Sequence, residues 1–463
     1  MANLPVAIIG AGPVGLAAAA HLLERGETSI IFEAAAAVGA NVRDWGHVRM
    51  FSPWEFTVDA ATVRLLERHG WQMPPADALP TGHDLVENYM QPFAALPEVS
   101  EHIHLNARVI AVSRRDVDKM KDTGRADAPF MLHIAYADGR ESLIEARAVI
   151  DASGTWHKPN PLGSGGLPAI GEGRHAAHIT HRIPDILGAD GPRYANKRVL
   201  VVGSGHSAIN ALLELVALKA DYPATQITWA MRGTNLQRVL GGGADDALPA
   251  RGALGDRIQM QIDAGAVTLL MPFRVREIDA AGDGVCVIGE TADGMYTVTV
   301  DEIIANTGAR PDLTMLRELR VDVDPSLESA RTLAPMIDPN LHSCGTVPPH
   351  GEAELRHPEK DFYIVGMKSY GRAPTFLLAT GYEQVRSVVA GLVGDWEAAR
   401  DVQLNLPETG VCNTDFASEG DACCGPPSVA VETISLDAIG VGADRIQLTP
   451  TASKQDGGCC SSS

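Results

Sequence analysis

The chain reads as an α/β protein built from two dinucleotide-binding units and ending in a cysteine-bearing tail. Three observations predict this. A glycine-rich turn between a buried strand and a helix occurs twice, at VAIIGAGPVG and again at VLVVGSGHSA. Each is followed downstream by a hairpin and a buried strand that runs into a small-residue turn, so one arrangement is used twice. Beyond about residue 401 the helical and strand periodicities fade while Gly, Pro, Ser and Thr accumulate around several cysteines.

In the first unit, residues 6–9 form the strand, residues 14–25 the helix and residues 29–32 a second strand that ends at Glu33. Gly10 makes the tight turn, Gly12 lets the backbone reach a pyrophosphate, and Gly15 lets the helix sit against the strand. Pro13 completes the turn. The helix N-terminus offers its positive end to the phosphates, and Glu33 stands where a carboxylate binds ribose hydroxyls. A glycine turn alone is a weak signal; placed strand–turn–helix–strand–Glu it is a specific one.

The second unit repeats this Rossmann-like pattern with Gly203, Gly205 and Ser207, and with Ala208 where the third glycine stood. Its second strand ends near Arg232 rather than at an acid. An arginine there suits a 2′-phosphate, which favours NADPH over NADH. The stretch FMLHIAYADGRESLIEARAVIDASG is a hairpin and a buried strand ending at Gly154, and VCVIGETADGMYTVTVDEIIANTG ends the same way at Gly308. Such turns can pass close to a bound dinucleotide.

A formal charge of −20 argues against nucleic acid and anionic lipid as partners. No apolar run reaches membrane-spanning length, and the N-terminus enters a strand at once, so a cytoplasmic location is expected. Seven cysteines, two pairs of them adjacent, make a poor disulfide framework.

The layout resembles the two-dinucleotide-domain flavoproteins, and DWGHVRMFSPWEF, LPTGHDLVENYMQPFAAL and DASGTWHKPNPLG are similar to segments of the flavin-containing monooxygenases. The resemblance implies FAD in the first unit, with Val109 and Gly154 among its contacts, and NADPH in the second. It also implies an interrupted FAD domain. The expected divisions are 1–160 and 305–400 for FAD, 161–304 for NADPH, and 401–463 for the tail. A strand at 361–365 and a helix at 375–393 belong to the returning part, with the helix N-terminus under the flavin. Where the family has an asparagine upstream of its FS pair, this chain carries Gly46 and His47, with Asn41 only earlier; His47 or Arg49 could replace its hydrogen bond, and no catalytic side chain is assigned. His175, His178 and His181 recur every third residue; on one helical face they would suit zinc, although the family has a histidine-containing segment here without metal.

Disulfide-reducing relatives carry a cysteine pair beside the flavin. Here Cys286 falls in an expected core strand and Cys344 in a loop, and no pair precedes Cys423. That points to dioxygen as the oxidant. In the tail, Cys412, Cys423 and Cys424 can converge, since an eleven-residue separation closes at modest entropic cost. Three thiolates without a fourth ligand suit trivalent arsenic or Hg(II); Cys459 and Cys460 form a second pair. Tail and core together resemble the flavin monooxygenases of arsenic-resistance systems, which implies methylarsenite as substrate. The alternatives are an amine or sulfide monooxygenase, a metal-ion reductase resembling mercuric reductase, and a responsive binding protein that holds flavin as a structural ligand.

Overall fold

The computed structural model describes residues 4–240, 249–341, 347–373 and 376–404, all within one compact unit, Met1–Thr414. Cys344, Cys412, Cys423, Cys424, Cys459 and Cys460 lie outside the described residues.

Sixteen strands are described: β1 Val6–Ile9, β2 Ser29–Phe32, β3 Ile103–His104, β4 Ala107–Arg114, β5 Phe130–Tyr136, β6 Glu141–Ala146, β7 Ala148–Asp151, β8 Ile179–Thr180, β9 Arg198–Val202, β10 Gln226–Ala230, β11 Thr268–Leu270, β12 Arg274–Ala281, β13 Gly284–Thr291, β14 Gly294–Val300, β15 Glu302–Ala305 and β16 Phe362–Ile364. Three helices pack on the parallel sheets and open toward the nucleotide loops: α1 Pro13–Glu24, α2 His206–Asp221 and α3 Leu378–Leu392.

Two parallel five-stranded sheets result, in the orders β16-β7-β1-β2-β3 and β11-β10-β9-β15-β8. Reversing the second superposes the roles: β9 stands for β1, β10 for β2, β11 for β3, β15 for β7 and β8 for β16. Each sheet has its own antiparallel companion, β4-β5-β6 for the first and β12-β13-β14 for the second.

Strand side chains alternate between two cores, which is why β1 and β9 read as continuous apolar runs. Val6 and Ile8 face the helices, among Leu16, Leu22, Val385 and Val388. Ala7 and Ile9 face the companion sheet, among Val109, Val112 and Phe130. In the second sheet Val199 and Val201 meet Ile209 and Leu212 of α2, while Leu200 and Val202 meet Phe273, Val285 and Val287. Ala17, Ala18 and Ala20 of α1 are fully buried; small side chains let the helix lie close on the sheet.

The chain crosses between the sheets twice, and the crossings are zipped together. Pro159 and Ala309 form an antiparallel bridge, Asn160 N donates to Gly308 O at 2.9 Å, Asn160 Nδ2 donates to Thr307 O at 3.1 Å, and Thr307 Oγ1 donates to Asn160 O at 2.6 Å.

Several local expectations need correcting. α1 starts and ends one residue early, because Pro13 supplies a helical φ at the first position. The strand and helix of the returning segment are shorter than expected, at Phe362–Ile364 and Leu378–Leu392. RHAAHITHR is no helix: a single 3-10 turn at Ala176–His178 gives way to β8, which pairs with β15. The three histidines share no face. His178 Nδ1 meets Asp301 O at 2.9 Å, and His181 Nε2 lies 3.9 Å from Glu172. Cys286 is in β13 as expected, but on the face opposite Val285 and Val287, and it is partly exposed rather than sealed in the core. Among the described residues no helix is long and apolar enough to cross a membrane.

Candidate functional site

In open parallel sheets, ligands bind beyond the carboxyl ends of the strands. At that end of the first sheet three turns converge. Gly10 follows β1 with φ +101°, and a Cβ there would lie 2.9 Å from Ala152 O of the turn after β7. Gly15 is tighter still: its Cβ would stand 2.0 Å from Gly10 O, so the helix can approach only without a side chain. Gly12 caps α1 and is open, with no atom within 4 Å of a Cβ built on it. No side chain caps this helix, which leaves its first N–H groups available to an anion.

Glu33 holds the loop through both carboxylate oxygens. Its Oε2 accepts from Ala11 N at 2.8 Å and its Oε1 from Ala35 N at 2.9 Å. A carboxylate oxygen has two lone pairs, so each retains one for a ribose hydroxyl. Gly154, φ +69°, also faces open space. Val109 lies in β4, in register with Ile134 of β5, with its side chain in the core between the sheets.

The third turn follows β16. Gly366, φ +68°, places its Cα so that a Cβ would meet Val14 at 3.3 Å, and Gly381 near the start of α3 would meet Val14 at 2.6 Å. The N-termini of α1 and α3 therefore meet, and α3 also lacks a side-chain cap. Gln384 ties this corner: Oε1 accepts from Gly366 N at 2.8 Å, and Nε2 donates to Ser369 Oγ at 2.9 Å and His350 Nε2 at 3.0 Å. Burial holds His350 below the usual imidazole range. Behind the turn, Lys368 is buried against Asp151, with Nζ 2.7 Å from Oδ2.

The second sheet repeats the arrangement. Gly203 has φ +140° and would bring a Cβ within 2.1 Å of Asn306 O, the counterpart of Ala152 O. Gly205 caps α2 and is open. Ser207 and Ala208 lie in its first turn; Ala208 is fully buried, so α2 carries a packed methyl where α1 has the bare Cα of Gly15. Gly308, φ +83°, repeats Gly154. Arg232 is exposed beyond β10 and donates to Ser164 O at 3.0 Å. Both loops thus have the uncapped helix ends, open glycines and close backbones that dinucleotides require, one fitting FAD and the other a pyridine nucleotide.

Contacts between the two halves come from the DWGHVRMFS loop. Asp44 Oδ2 accepts from Trp156 Nε1 at 2.9 Å and lies 2.8 Å from Arg182. Phe51 lies 5.4 Å, ring to ring, from His206 at the start of α2. His47 Nε2 is buried without a protein partner, and Arg49 donates to Leu79 O. Sequence reasoning missed Asp44, Asp151, Lys368 and Gln384. A charge at the end of AVID and another just after FYIVG were the available signals. A cavity of about 390 Å³ lies elsewhere, by the far end of α1, lined by His21, Arg25, Asp59 and Tyr382. His21 and Asp59 form a buried pair there, 2.9 Å apart.

Residues 4–328 match the family model for pyridine nucleotide-disulphide oxidoreductases. No curated protein matches the sequence. Among solved structures, a bacillithiol disulfide reductase from Bacillus cereus is similar over 85% of this chain and 99% of its own, at 19% identity and a TM-score of 0.64. An FAD-bound cadaverine monooxygenase of desferrioxamine biosynthesis from Erwinia amylovora is similar over 88% and 98%, at 12% identity and 0.59. A flavin monooxygenase from Stenotrophomonas maltophilia is similar over 85% and 99%, at 21% identity and 0.53. With a match over more than half its length and two nucleotide clamps of the required shape, the chain belongs to the pyridine nucleotide-disulphide oxidoreductase family and is an oxidoreductase that uses FAD and a pyridine nucleotide.

Proposed function

We propose that this chain is a cytoplasmic NADPH- and FAD-dependent monooxygenase that oxidises trivalent arsenicals, methylarsenite foremost, for arsenic detoxification. The distribution of cysteines carries the reading. None occurs before Cys286, no two lie close together before Cys423, and three gather at Cys412, Cys423 and Cys424. The only cysteine among the described residues, Cys286, sits in β13, a strand of the second antiparallel sheet. A dithiol relay from flavin to a disulfide therefore has no pair to use in the core, whereas the tail has the soft donors a thiophilic metalloid prefers.

Bound FAD would supply hydride acceptance from NADPH and activation of dioxygen. Gly10, Gly12, Pro13, Gly15, Glu33, Val109 and Gly154 would hold it; Gly203, Gly205, Ser207, Ala208, Arg232 and Gly308 would hold NADPH. Methylarsenite, dioxygen, NADPH and a proton give methylarsenate, NADP⁺ and water. Two electrons come from NADPH and two from the arsenic lone pair; one oxygen atom goes to arsenic and the other to water. The tail thiolates bind the trivalent substrate and raise its local concentration at the core. The pentavalent product no longer binds thiolate, so it leaves.

The test is NADPH and dioxygen consumption by the purified protein with methylarsenite, arsenite, Hg(II), an alkylamine and a sulfide. Stoichiometric oxygen uptake and pentavalent product are expected with methylarsenite. Replacing Cys412, Cys423 and Cys424 by Ser should raise KM at least about tenfold with little change in kcat. Unchanged kinetics would favour an amine or sulfide substrate. A second reading, metal-ion or disulfide reduction, draws on the adjacent Cys423–Cys424 pair and on the reductase among the similar structures. Turnover that persists without oxygen would establish it.

A further inference from the structure

The two clamps differ in one place where their architecture would let them agree. β7 and β15 occupy the same position in their sheets, and register makes Asp151 and Ala305 equivalent: Ile9 pairs with Asp151, and Val202 with Ala305. Each is followed by a turn whose backbone closes on the first glycine of its clamp and ends, three residues on, at a glycine with positive φ, Gly154 or Gly308. The second turn is made with an alanine at this position. The first carries a carboxylate with no solvent exposure at all.

That carboxylate is met by an equally buried ammonium. Lys368, 2% exposed, donates one N–H to Asp151 Oδ2 at 2.7 Å and another to Ser153 Oγ at 3.0 Å. Ser153 in turn donates to Asp151 Oδ1 from its hydroxyl at 2.6 Å and its N–H at 3.1 Å. Burying an ion pair costs nearly as much as the attraction returns, and apolar replacements of similar volume are often as stable. The second clamp shows that this return turn folds without one. A buried pair kept only in the first clamp, at the carboxyl ends of β1, β7 and β16, calls for a reason other than folding.

We propose that Lys368, Asp151 and Ser153 form a brace that fixes the floor of the FAD site, with Lys368 as a positioning residue for the cofactor. The brace ties three turns. Lys368 belongs to the turn that leans on Val14 of α1 through Gly366; Ser153 lies between Ala152, whose carbonyl closes on Gly10, and the open Gly154. It therefore sets the spacing between the pyrophosphate turn and the segment beneath α3. Its ammonium also places a cationic group at the carboxyl ends of β7 and β16, paired with Asp151 and near enough to Asp312 to act on that carboxylate as well. The inference rests on FAD occupying the first clamp.

The experiment is FAD titration of apo-protein, followed by flavin fluorescence, on wild type, Lys368→Met, Lys368→Met/Asp151→Ala and Ser153→Ala. Thermal unfolding and the flavin midpoint potential are measured alongside. Wild type binding FAD establishes the clamp itself; failure there defeats the premise and not only the brace. Lys368→Met leaves a lone buried carboxylate, so its unfolding temperature falls. The double variant, which copies the uncharged register of the second clamp, should recover that temperature yet bind FAD at least tenfold more weakly than wild type, with an altered potential. If the double variant loses less than tenfold in FAD affinity relative to wild type, the brace is merely structural and the proposal is overturned. Should the double variant not fold, Ser153→Ala decides, since it leaves both charges in place: a threefold or greater loss of FAD affinity supports the brace, and a smaller loss overturns it.

Discussion

Gly15→Ala adds a single methyl to α1, at a position where two effects oppose each other. Alanine in place of glycine inside a helix stabilises it by about 1 kcal/mol. The same methyl would stand 2.0 Å from Gly10 O, where contacts under 3.0 Å are essentially never seen. The helix must withdraw by about 1 Å, and overpacking of this kind costs about 1–3 kcal/mol. Sterics win. The withdrawal moves the N–H groups at the start of α1 away from the pyrophosphate. A displacement of that size in a preorganised site is worth about 100-fold, or about 3 kcal/mol, in FAD affinity. Ala208→Gly is the matched control, because Ala208 already fills the equivalent place in α2; its pyridine-nucleotide affinity should stay within about threefold, with about 1 kcal/mol lost in stability. The assay is the ratio of flavin to protein absorbance after purification, followed by FAD titration. A Gly15→Ala protein that purifies with wild-type flavin content would refute the steric reasoning.

Arg232→Ala should raise KM for NADPH about 10- to 100-fold and leave that for NADH within about threefold, since a guanidinium lost from a 2′-phosphate has no counterpart on a bare ribose; equal effects on the two cofactors would remove Arg232 from the site. Glu214, on α2, has a buried carboxylate oxygen without a protein partner. Burial first, and then the neighbouring Asp185, push it up from 4.5 to about 7. The folded chain therefore holds this proton more tightly than the unfolded one, so its contribution is full below about pH 4.5 and lost as pH rises through about 7. Discounted for its partial solvent contact, the loss is about 1–2 kcal/mol. Glu214→Gln should flatten that part of the profile in urea titrations at pH 5 and 8, and parallel curves for the two proteins would contradict the assignment.

Much of the fold was legible because it is dictated locally. VAII and RVLVV announce strands covered on both faces, and a glycine that cannot tolerate a Cβ announces the turn beside it. The duplicated hairpins were readable for the same reason. What escaped depends on residues far apart in sequence. Asp151 and Lys368 are separated by 217 positions, and only the pairing of β7 with β16 brings them together. RHAAHITHR misled through its three-residue spacing: periodicity says nothing about a neighbouring strand, and β15 claims Ile179 and Thr180. Cys286 misled differently, since an apolar stretch in an antiparallel sheet has two faces and only register decides which is wet.

Residues 158–160 and 307–310, laced together by the bonds of Asn160 and Thr307, form a double strap. A single connecting strand would let one half of the core swivel freely about the other. Two strands held side by side resist twisting and bend most readily across their common plane, like a watchband. The carboxylate of Asp44, gripping Trp156 on one arm and Arg182 beyond it, acts as the clasp that limits this bending. The strap and the clasp together therefore join the two sheets at three places rather than through one peptide link.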